Sequence, residues 1–435
     1  MKNKADVIIV GGGIIGSSVA YHLLADGFTG RIIVFEKDPS YAYASTPRSA
    51  GGIRQLFTTG INIKMSRYSL KAYQNFTRNM AIGNETFEID LKQRGYLFLA
   101  AEKMRPLFEK QLKLQHQNGV LSEWLGKTEL VALIPELITR DLAGGLYCAE
   151  SGYLDPYTAM QGFIKNAKHL GAEYIYEEAD CFLAEEGRIK GVRLKDGRAF
   201  FAPVVVNCAG AWASGLSSKA GLSLPIIPVP RRIFMFDVEK PLAKPLPLTM
   251  DPTGVYFRHE GRKIIAGYGE EEKPAIDFSW KRSEFEEQIW PVLAQRIPNF
   301  EKVKVERGWA GLYDYNTADH NAIIGEHPEM KGYFAAFGFS GHGMQQAPAV
   351  GKGLSELIRT GKYETIDLTP LRSNGLRKTT LLQKMPFIKR ASSVFAKFSK
   401  PHVIVIITER EGIQWRNITM LLSLVPVQWE WQPAA

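Results

Sequence analysis

The first forty residues alternate between apolar runs and polar breaks in a way that predicts a strand, a helix and a second strand. Val7–Val10 is a short apolar run that stops at Gly11-x-Gly13-x-x-Gly16. An amphipathic stretch follows, with Ile15, Val19, Leu23 and Leu24 on one helical face, and the run Ile32–Phe35 then ends on Glu36. Residues 41–60, rich in small and polar residues, read as a loop entering a helix near Asn62. Helical spacing covers 62–80 and 103–118, with a strand over 91–100 between them. Asp155-Pro156-Tyr157 begins another helix, running to about His169. Two hairpin-like strands (181–185 and 190–194) precede a buried apolar strand over 201–207 that ends in Cys208-Ala209-Gly210-Ala211-Trp212. Proline-rich segments at 225–230 and 241–252 punctuate strands at 232–238, 254–259 and 263–268. A helix over 279–298, a strand from 303 and a strand–loop–helix block over 332–353, its helix running from about Pro348 to Ile358, complete the pattern. Nucleotide-type elements at both ends and near residue 200, with a strand-rich insert between, predict two interleaved domains.

Composition narrows the class. With 435 residues, 45% hydrophobic and 23% charged, the chain reads as a globular protein larger than one ordinary domain. Cys148, Cys181 and Cys208 are widely spaced and form no CxxC or metal-ligand pattern, so no metal site is expected and a reducing compartment is. No run of about 18 apolar residues is present to span a bilayer. The first strand starts almost at once, without a visible signal or transit peptide, which favours the cytoplasm, with the mitochondrial matrix as the alternative. The net charge of +9 does not point to nucleic acid: residues 371–402 carry eight Lys or Arg and no acid, leaving a nearly neutral body. That tail, 371–435, reads as a poorly ordered basic extension, and is where a protein partner would bind.

Specific residues then indicate chemistry. Gly11 allows the tight turn out of the strand, Gly13 lets the backbone approach a pyrophosphate, and Gly16 lets the helix pack closely on the sheet. The phosphates would face the free N–H groups of the helix start, at Ile14 and Ile15. Glu36 can only accept hydrogen bonds, which suits a ribose hydroxyl. Gly338–Met344 is a run of small residues before a helix, a nest of N–H groups for partial negative charge. Arg48 and Arg54 lie in the loop after Glu36, where a guanidinium could hold a carboxylate, although most arginines only solvate a surface or brace a loop. Tyr256, Tyr313 and Tyr315 could line a pocket or simply pack. His342 serves either as a base or, more commonly for a lone histidine, as a structural residue.

Five blocks in order, VIIVGGGIIGSS, ASTPRSAGGIRQLF, VVVNCAGAWA, GWAGLYDYNTADHNAIIG and GFSGHGMQQAPAVGKGLSEL, resemble the D-amino-acid oxidase/glycine oxidase/sarcosine oxidase family of FAD flavoproteins over roughly residues 5–370. The resemblance implies an α/β fold (α+β overall), in which a Rossmann-type FAD-binding domain interleaves with a mostly antiparallel substrate domain. The FAD-binding parts would be about 5–80, 145–220 and 306–365, and the substrate-domain parts about 81–144 and 221–305. It implies oxidation of a C–N bond in a small amino acid or N-methylated amine by hydride transfer to flavin, with oxygen or a carrier as electron acceptor. The cofactor residues carried over are Gly11, Gly13, Ile14, Ile15, Gly16, Glu36 and Lys37, then Ser45, Arg48, Ser49, Gly51 and Gly52. They continue with Ala209, Gly210, Trp212 and Gly311, and end on Gly338, Ser340, Gly341, His342, Gly343, Met344 and Gln345. Arg54, Gln345, His342 and Tyr256 are the catalytic candidates, with Arg54 matching the arginine that binds substrate carboxylate.

The departures are equally specific. Gln345 replaces the lysine that is the second carboxylate ligand in sarcosine oxidases. Leu312 and Arg48 stand where relatives attach flavin covalently, which implies non-covalent FAD. Ile265 aligns with the lysine credited with activating oxygen, and strand alternation is expected to point nearby Lys263 elsewhere. YDYNTADHNAIIG, GHGMQQAP and YETIDLTP resemble most a branch that includes a respiratory complex I assembly factor and bacterial oxidoreductases. A non-catalytic flavoprotein that assembles complex I is therefore the alternative reading.

Overall fold

A computed structural model describes residues 3–269 and 273–373. The basic tail expected beyond residue 371 lies almost wholly outside them. Among the described residues the strands form a nine-stranded sheet, an eight-stranded sheet and a two-stranded ribbon. The expected mixed fold, a parallel nucleotide-type sheet joined to a mostly antiparallel one, is what the chain adopts.

The centre of the first sheet is parallel: Val204–Asn207, Val7–Val10 and Ile32–Phe35 lie side by side, flanked by Met330–Phe337 and Glu173–Ile175. All three central strands are four-residue segments, almost wholly buried and dominated by β-branched residues. They carry no alternation because both faces are covered. Val10 pairs with Asn207 on one side and Phe35 on the other. The strands therefore end in register, and the glycine turn after Val10, the Cys208–Trp212 segment and Glu36 gather at one edge of the sheet.

The second sheet does alternate. One face carries Leu97, Phe234, Phe236, Phe257, Ile264 and Ala266, which pack on the helical segment holding Phe285, Ile289 and Leu293. The other carries Tyr96, Phe98, Ile233, Tyr256 and Ile265, and is turned toward Ala50 in the loop after Glu36. This face becomes the roof of the site.

Several elements differ from the periodicity. The first helix, Ile14–Ala25, is not amphipathic: eight of its twelve residues are buried. The helix Gly343–Thr360 crosses it so closely that a Cβ on Gly351 would fall 2.3 Å from Ser18 Oγ. The apolar run 201–207 is two strands, Ala199–Phe201 and Val204–Asn207. They take different partners on either side of Ala202-Pro203, where proline cannot donate to a ladder. The strand expected over 232–238 starts at Ile226, since Pro228 and Pro230 lie where it pairs only with Val303–Asn316. Between 279 and 298 a π-helical turn, Phe285–Ile289, interrupts the helix. Strands Gly144–Cys148 and Val303–Asn316 hydrogen-bond into the eight-stranded sheet, so 145–148 and 306–316 leave the nucleotide part in which the sequence placed them. No helix among the described residues is long and apolar enough to cross a membrane.

The crossing of the first and last helices holds His22. Its Nδ1 lies 2.8 Å from the Ser18 carbonyl, while Asp26 nearby accepts from Lys352 (3.0 Å) and Ser355 (2.7 Å). Burial, only partly opposed by that carbonyl and by Asp26, lowers the His22 pKa to about 4. The unfolded chain, with an ordinary imidazole, binds more protons below about pH 6.5, so this stability is complete above that pH and is lost as pH falls toward 4. We expect about 2 kcal/mol of unfolding free energy to disappear between pH 7 and 5. Urea titrations of wild type and His22→Gln check it; equal pH slopes in the two would refute the assignment.

Candidate active site

At the shared strand edge the three glycines have distinct surroundings. Gly11 has φ +98°, and a Cβ there would lie 2.4 Å from the Cys208 carbonyl oxygen. A Cβ on Gly16 would lie 2.0 Å from the Gly11 carbonyl oxygen, which is what brings the helix down onto the turn. Gly13 and Gly210 have no neighbouring heavy atom within 4 Å of that position and so border open space. The first-turn N–H groups of the helix, with no partner within the helix, point at the same region. This cradle fits a dinucleotide pyrophosphate.

Glu36 closes one side. Its carboxylate accepts from Gly12 N (2.9 Å) and Asp38 N (3.0 Å), and burial raises its pKa against those two bonds. Lys37 Nζ lies 3.4 Å above the centre of the Trp212 ring, joining two segments that the sequence separates by 175 residues. Two residues that sequence reasoning missed complete this side. Tyr174 donates its hydroxyl to Ser17 Oγ (2.9 Å), and buried Tyr41 has φ +56° with its hydroxyl beside Gly12. No local pattern marks either, because both reach the turn through tertiary packing.

The loop after Glu36 is tied to strand Val303–Asn316. Ser45 Oγ donates to the Leu312 carbonyl (2.6 Å). Arg48 donates to the carbonyls of Ala42 (2.6 Å) and Ala310 (2.7 Å), and its own carbonyl accepts from Trp309 Nε1 (2.9 Å). A Cβ on Gly311 would come within 3.0 Å of Arg48 Cβ. Arg48 thereby ties the loop to the sheet. Ser49 Oγ accepts from Gly51 N (3.3 Å), and Gly52 pairs with Tyr153 in the two-stranded ribbon. These residues shape the loop that presents Arg54.

Arg54 is buried beneath the roof. Its guanidinium carbon lies 4.7, 5.3 and 5.9 Å from the ring centres of Phe57, Phe98 and Tyr96. Desolvation lowers its pKa, and the phenols of Tyr96 and Tyr313 oppose this. Nη2 lies 2.7 Å from His342 Nε2, and the Arg54 backbone N donates to Gln345 Oε1 (2.9 Å). His342 Nδ1 lies 3.1 Å from the Phe339 carbonyl, a contact that requires the proton on Nδ1. The Nε2 lone pair then accepts from Arg54. This contact links His342 to the Arg54 guanidinium.

Tyr256 lies across Gly267 and Tyr313 across Gly341: a Cβ on Gly267 would fall 2.4 Å from the Tyr256 hydroxyl oxygen, and one on Gly341 2.3 Å from the Tyr313 ring. Burial raises the pKa of Tyr96, Tyr256 and Tyr313, so all three stay protonated donors. Tyr315, the third pocket candidate, instead meets His320, 3.1 Å from its Nδ1. Lys263 shares the face of Ile265, contrary to the expected orientation, but sits at the outer end of the strand paired with Glu306.

The glycine-rich block is only partly a nest. Gly338 N donates to the Asp314 carboxylate (2.7 Å), Ser340 N to the Asp314 carbonyl (3.1 Å) and His342 N to the Phe339 carbonyl (3.1 Å). The helix begins at Gly343, not near Pro348, so the first-turn N–H groups of Gly343, Met344 and Gln345 have no partner within the helix. Pro348 lies inside it; the Met344 carbonyl that loses its partner there accepts from the Tyr73 hydroxyl (2.6 Å). Behind the block, Gln346 Nε2 donates to Asn62 (2.8 Å), Asn62 Nδ2 to Asn321 (2.8 Å) and Asn316 Nδ2 to the Asn321 carbonyl (2.6 Å). This buried amide network was invisible in the sequence, where its members lie up to 284 residues apart.

The sequence profile of the FAD dependent oxidoreductase family matches residues 6–357. The chain belongs to that family. FAD is its cofactor, and it is an oxidoreductase. "FAD-dependent oxidoreductase domain-containing protein 1" of Bos taurus is 34% identical, aligned over 84% of each chain. Human mitochondrial sarcosine dehydrogenase is 26% identical over 84% of this chain and 40% of its own length. Among solved structures, L-proline dehydrogenase from P. horikoshii superposes with a TM-score of 0.75 at 29% identity, covering 83% of this chain and 95% of that one.

Proposed function

We propose that this FAD-dependent oxidoreductase oxidises the C–N bond of a small amino acid or N-methylated amine of the glycine, sarcosine or dimethylglycine kind. The observation that carries the reading is Arg54: a buried guanidinium, walled by Phe57, Tyr96 and Phe98, placed beside the helix start that faces the cradle. A guanidinium binds a carboxylate through two parallel hydrogen bonds, more strongly where aromatic walls exclude water. Once held there, the substrate amine lies close to a fixed positive charge in a low dielectric. Both conditions favour the neutral amine, the form that can lose hydride, so His342 need not act as a base. Tyr256 and Tyr313, kept protonated, serve as hydroxyl donors that orient the substrate. Bound FAD, non-covalent in this reading, supplies the two-electron redox chemistry. Ile265 on the roof supports a carrier rather than oxygen as electron acceptor.

Anaerobic mixing with glycine, sarcosine, dimethylglycine, proline and D-amino acids tests this, with bleaching of the flavin by at least one as the expected result. Arg54→Gln should raise KM for that substrate roughly 10- to 100-fold, the worth of a charge-assisted pair. A flavin left oxidised by the whole panel overturns the catalytic reading, and the non-catalytic assembly role then takes its place.

A further inference from the structure

Helix Gly60–Gln74 meets the last helix along a polar face, where such a seam is ordinarily apolar. Asn62, Ser66, Ser69 and Tyr73 recur at helical spacing, and all four are buried. Each bonds either the Arg54 backbone or the first turns of the last helix. Asn62 Oδ1 accepts from Gln346 Nε2 (2.8 Å), and Ser66 Oγ donates to the Arg54 carbonyl. Ser69 Oγ accepts from Ala349 N (3.3 Å), and the Tyr73 hydroxyl donates to the Met344 carbonyl (2.6 Å). The Tyr73 ring packs in the core beside Phe76, with ring centres 5.7 Å apart. A phenylalanine would fill that place equally well, so the hydroxyl is what tyrosine adds. Burial raises its pKa, which keeps it a donor.

We infer that Tyr73 is a positioning residue for the flavin, acting through the peptide that joins Met344 to Gln345. The inference rests on the start of the last helix facing that cofactor, whichever substrate is oxidised. A trans peptide holds its C=O and N–H in opposite directions. Fixing the Met344 carbonyl toward Tyr73 therefore aims the Gln345 N–H the other way, out of the helix start. Donation to the carbonyl also polarises the peptide and strengthens its N–H as a donor. Pro348 opens the place that Tyr73 takes, since in an unbroken helix the N–H of residue 348 would occupy that carbonyl. A flavin that takes up two electrons and one proton carries a negative charge. A well-aimed Gln345 N–H thus stabilises the reduced cofactor over the oxidised one.

Tyr73→Phe removes only the oxygen. Reductive titration of the holoprotein against a reference dye should show the preference for reduced over oxidised FAD falling about tenfold, a drop of about 30 mV in the two-electron midpoint potential. Oxidised FAD, titrated into apoprotein, should still bind within about threefold of wild type. Ser69→Ala removes a bond from the same face to an N–H beyond the proline, and should leave the potential unchanged even where stability falls. Adding Pro348→Ala to Tyr73→Phe returns a donor to the Met344 carbonyl. The double variant should recover to within about threefold of wild type, or about 15 mV, and it gives the answer even if Tyr73→Phe alone does not fold. An unchanged potential in Tyr73→Phe, an equal drop in Ser69→Ala, or a tenfold drop that persists in the double variant overturns the inference. The electrons here come from a chemical reductant, so none of these outcomes bears on amine oxidation, which the substrate panel decides separately.

Discussion

Gly16→Val will yield a colourless protein. The Cβ of any side chain at this position would sit 2.0 Å from the Gly11 carbonyl oxygen and 3.0 Å from Ile9 Cγ2. The first contact is with backbone, which cannot rotate away, so the helix must lift from the turn. Lifting it displaces the first-turn N–H groups and the open approach at Gly13 together, and both are needed to hold a pyrophosphate. The overpacking itself should cost about 3 kcal/mol or more. Gly13→Ala separates the two effects. With nothing within 4 Å of its Cβ, it should leave apoprotein stability within about 0.5 kcal/mol of wild type while still weakening FAD at least a hundredfold. Visible absorbance of the purified proteins and FAD titration by fluorescence quenching decide both. A yellow Gly16→Val protein with wild-type flavin content would remove the basis for the cradle.

Arg296→Met should destabilise the substrate-side sheet by about 3–5 kcal/mol, the range for breaking one half of a buried ion pair. Arg296 joins three segments: Nε donates to Asp251 (2.7 Å), the two Nη atoms to Asp141 (2.8 and 2.9 Å), and Nη1 to the Ile138 carbonyl (2.7 Å). Asp251 is fully buried, so losing Arg296 strands a carboxylate supported, among the described residues, only by Thr253, through its N (2.9 Å) and hydroxyl (2.8 Å). The Asp141 side chain is 47% exposed, and water can replace the guanidinium there. Asp141→Asn should therefore cost about 1 kcal/mol or less. Urea unfolding of the two variants should differ in midpoint by severalfold relative to wild type, with FAD content unchanged in both. Equal losses would mean that burial of Asp251 is not what gives the network its weight.

Much of this is legible in the sequence, for reasons that lie close along the chain. Asp155 was read as opening a helix, and its carboxylate accepts from Tyr157 N two residues on (2.9 Å). The hairpin at Glu186-Gly187 turns where two backbone positions take positive φ. What failed depended on distant partners. Pro348 looked like a helix start because a proline inside a helix orphans a carbonyl, and only Tyr73, 271 residues from Met344, supplies the missing donor. Arg48 and Arg54 lie six residues apart in one loop, and residue type alone does not say what each one touches. Both lie near aromatic rings, but Arg48 donates to backbone carbonyls of the loop and the sheet, whereas Arg54 meets His342 Nε2.

By itself, then, the sequence determined the apolar runs, the glycine turns and the order of the motifs, since spacing, sterics and capping act over a few residues. Only the tertiary structure decided which motifs meet and what each side chain at the site touches. Parallel pairing brings strand ends from residues 10, 35 and 207 to one edge, and sheet alternation turns Tyr256 and Tyr313 onto the face above it. Those outcomes depend on hydrogen-bonded register between segments hundreds of residues apart, which no local pattern encodes.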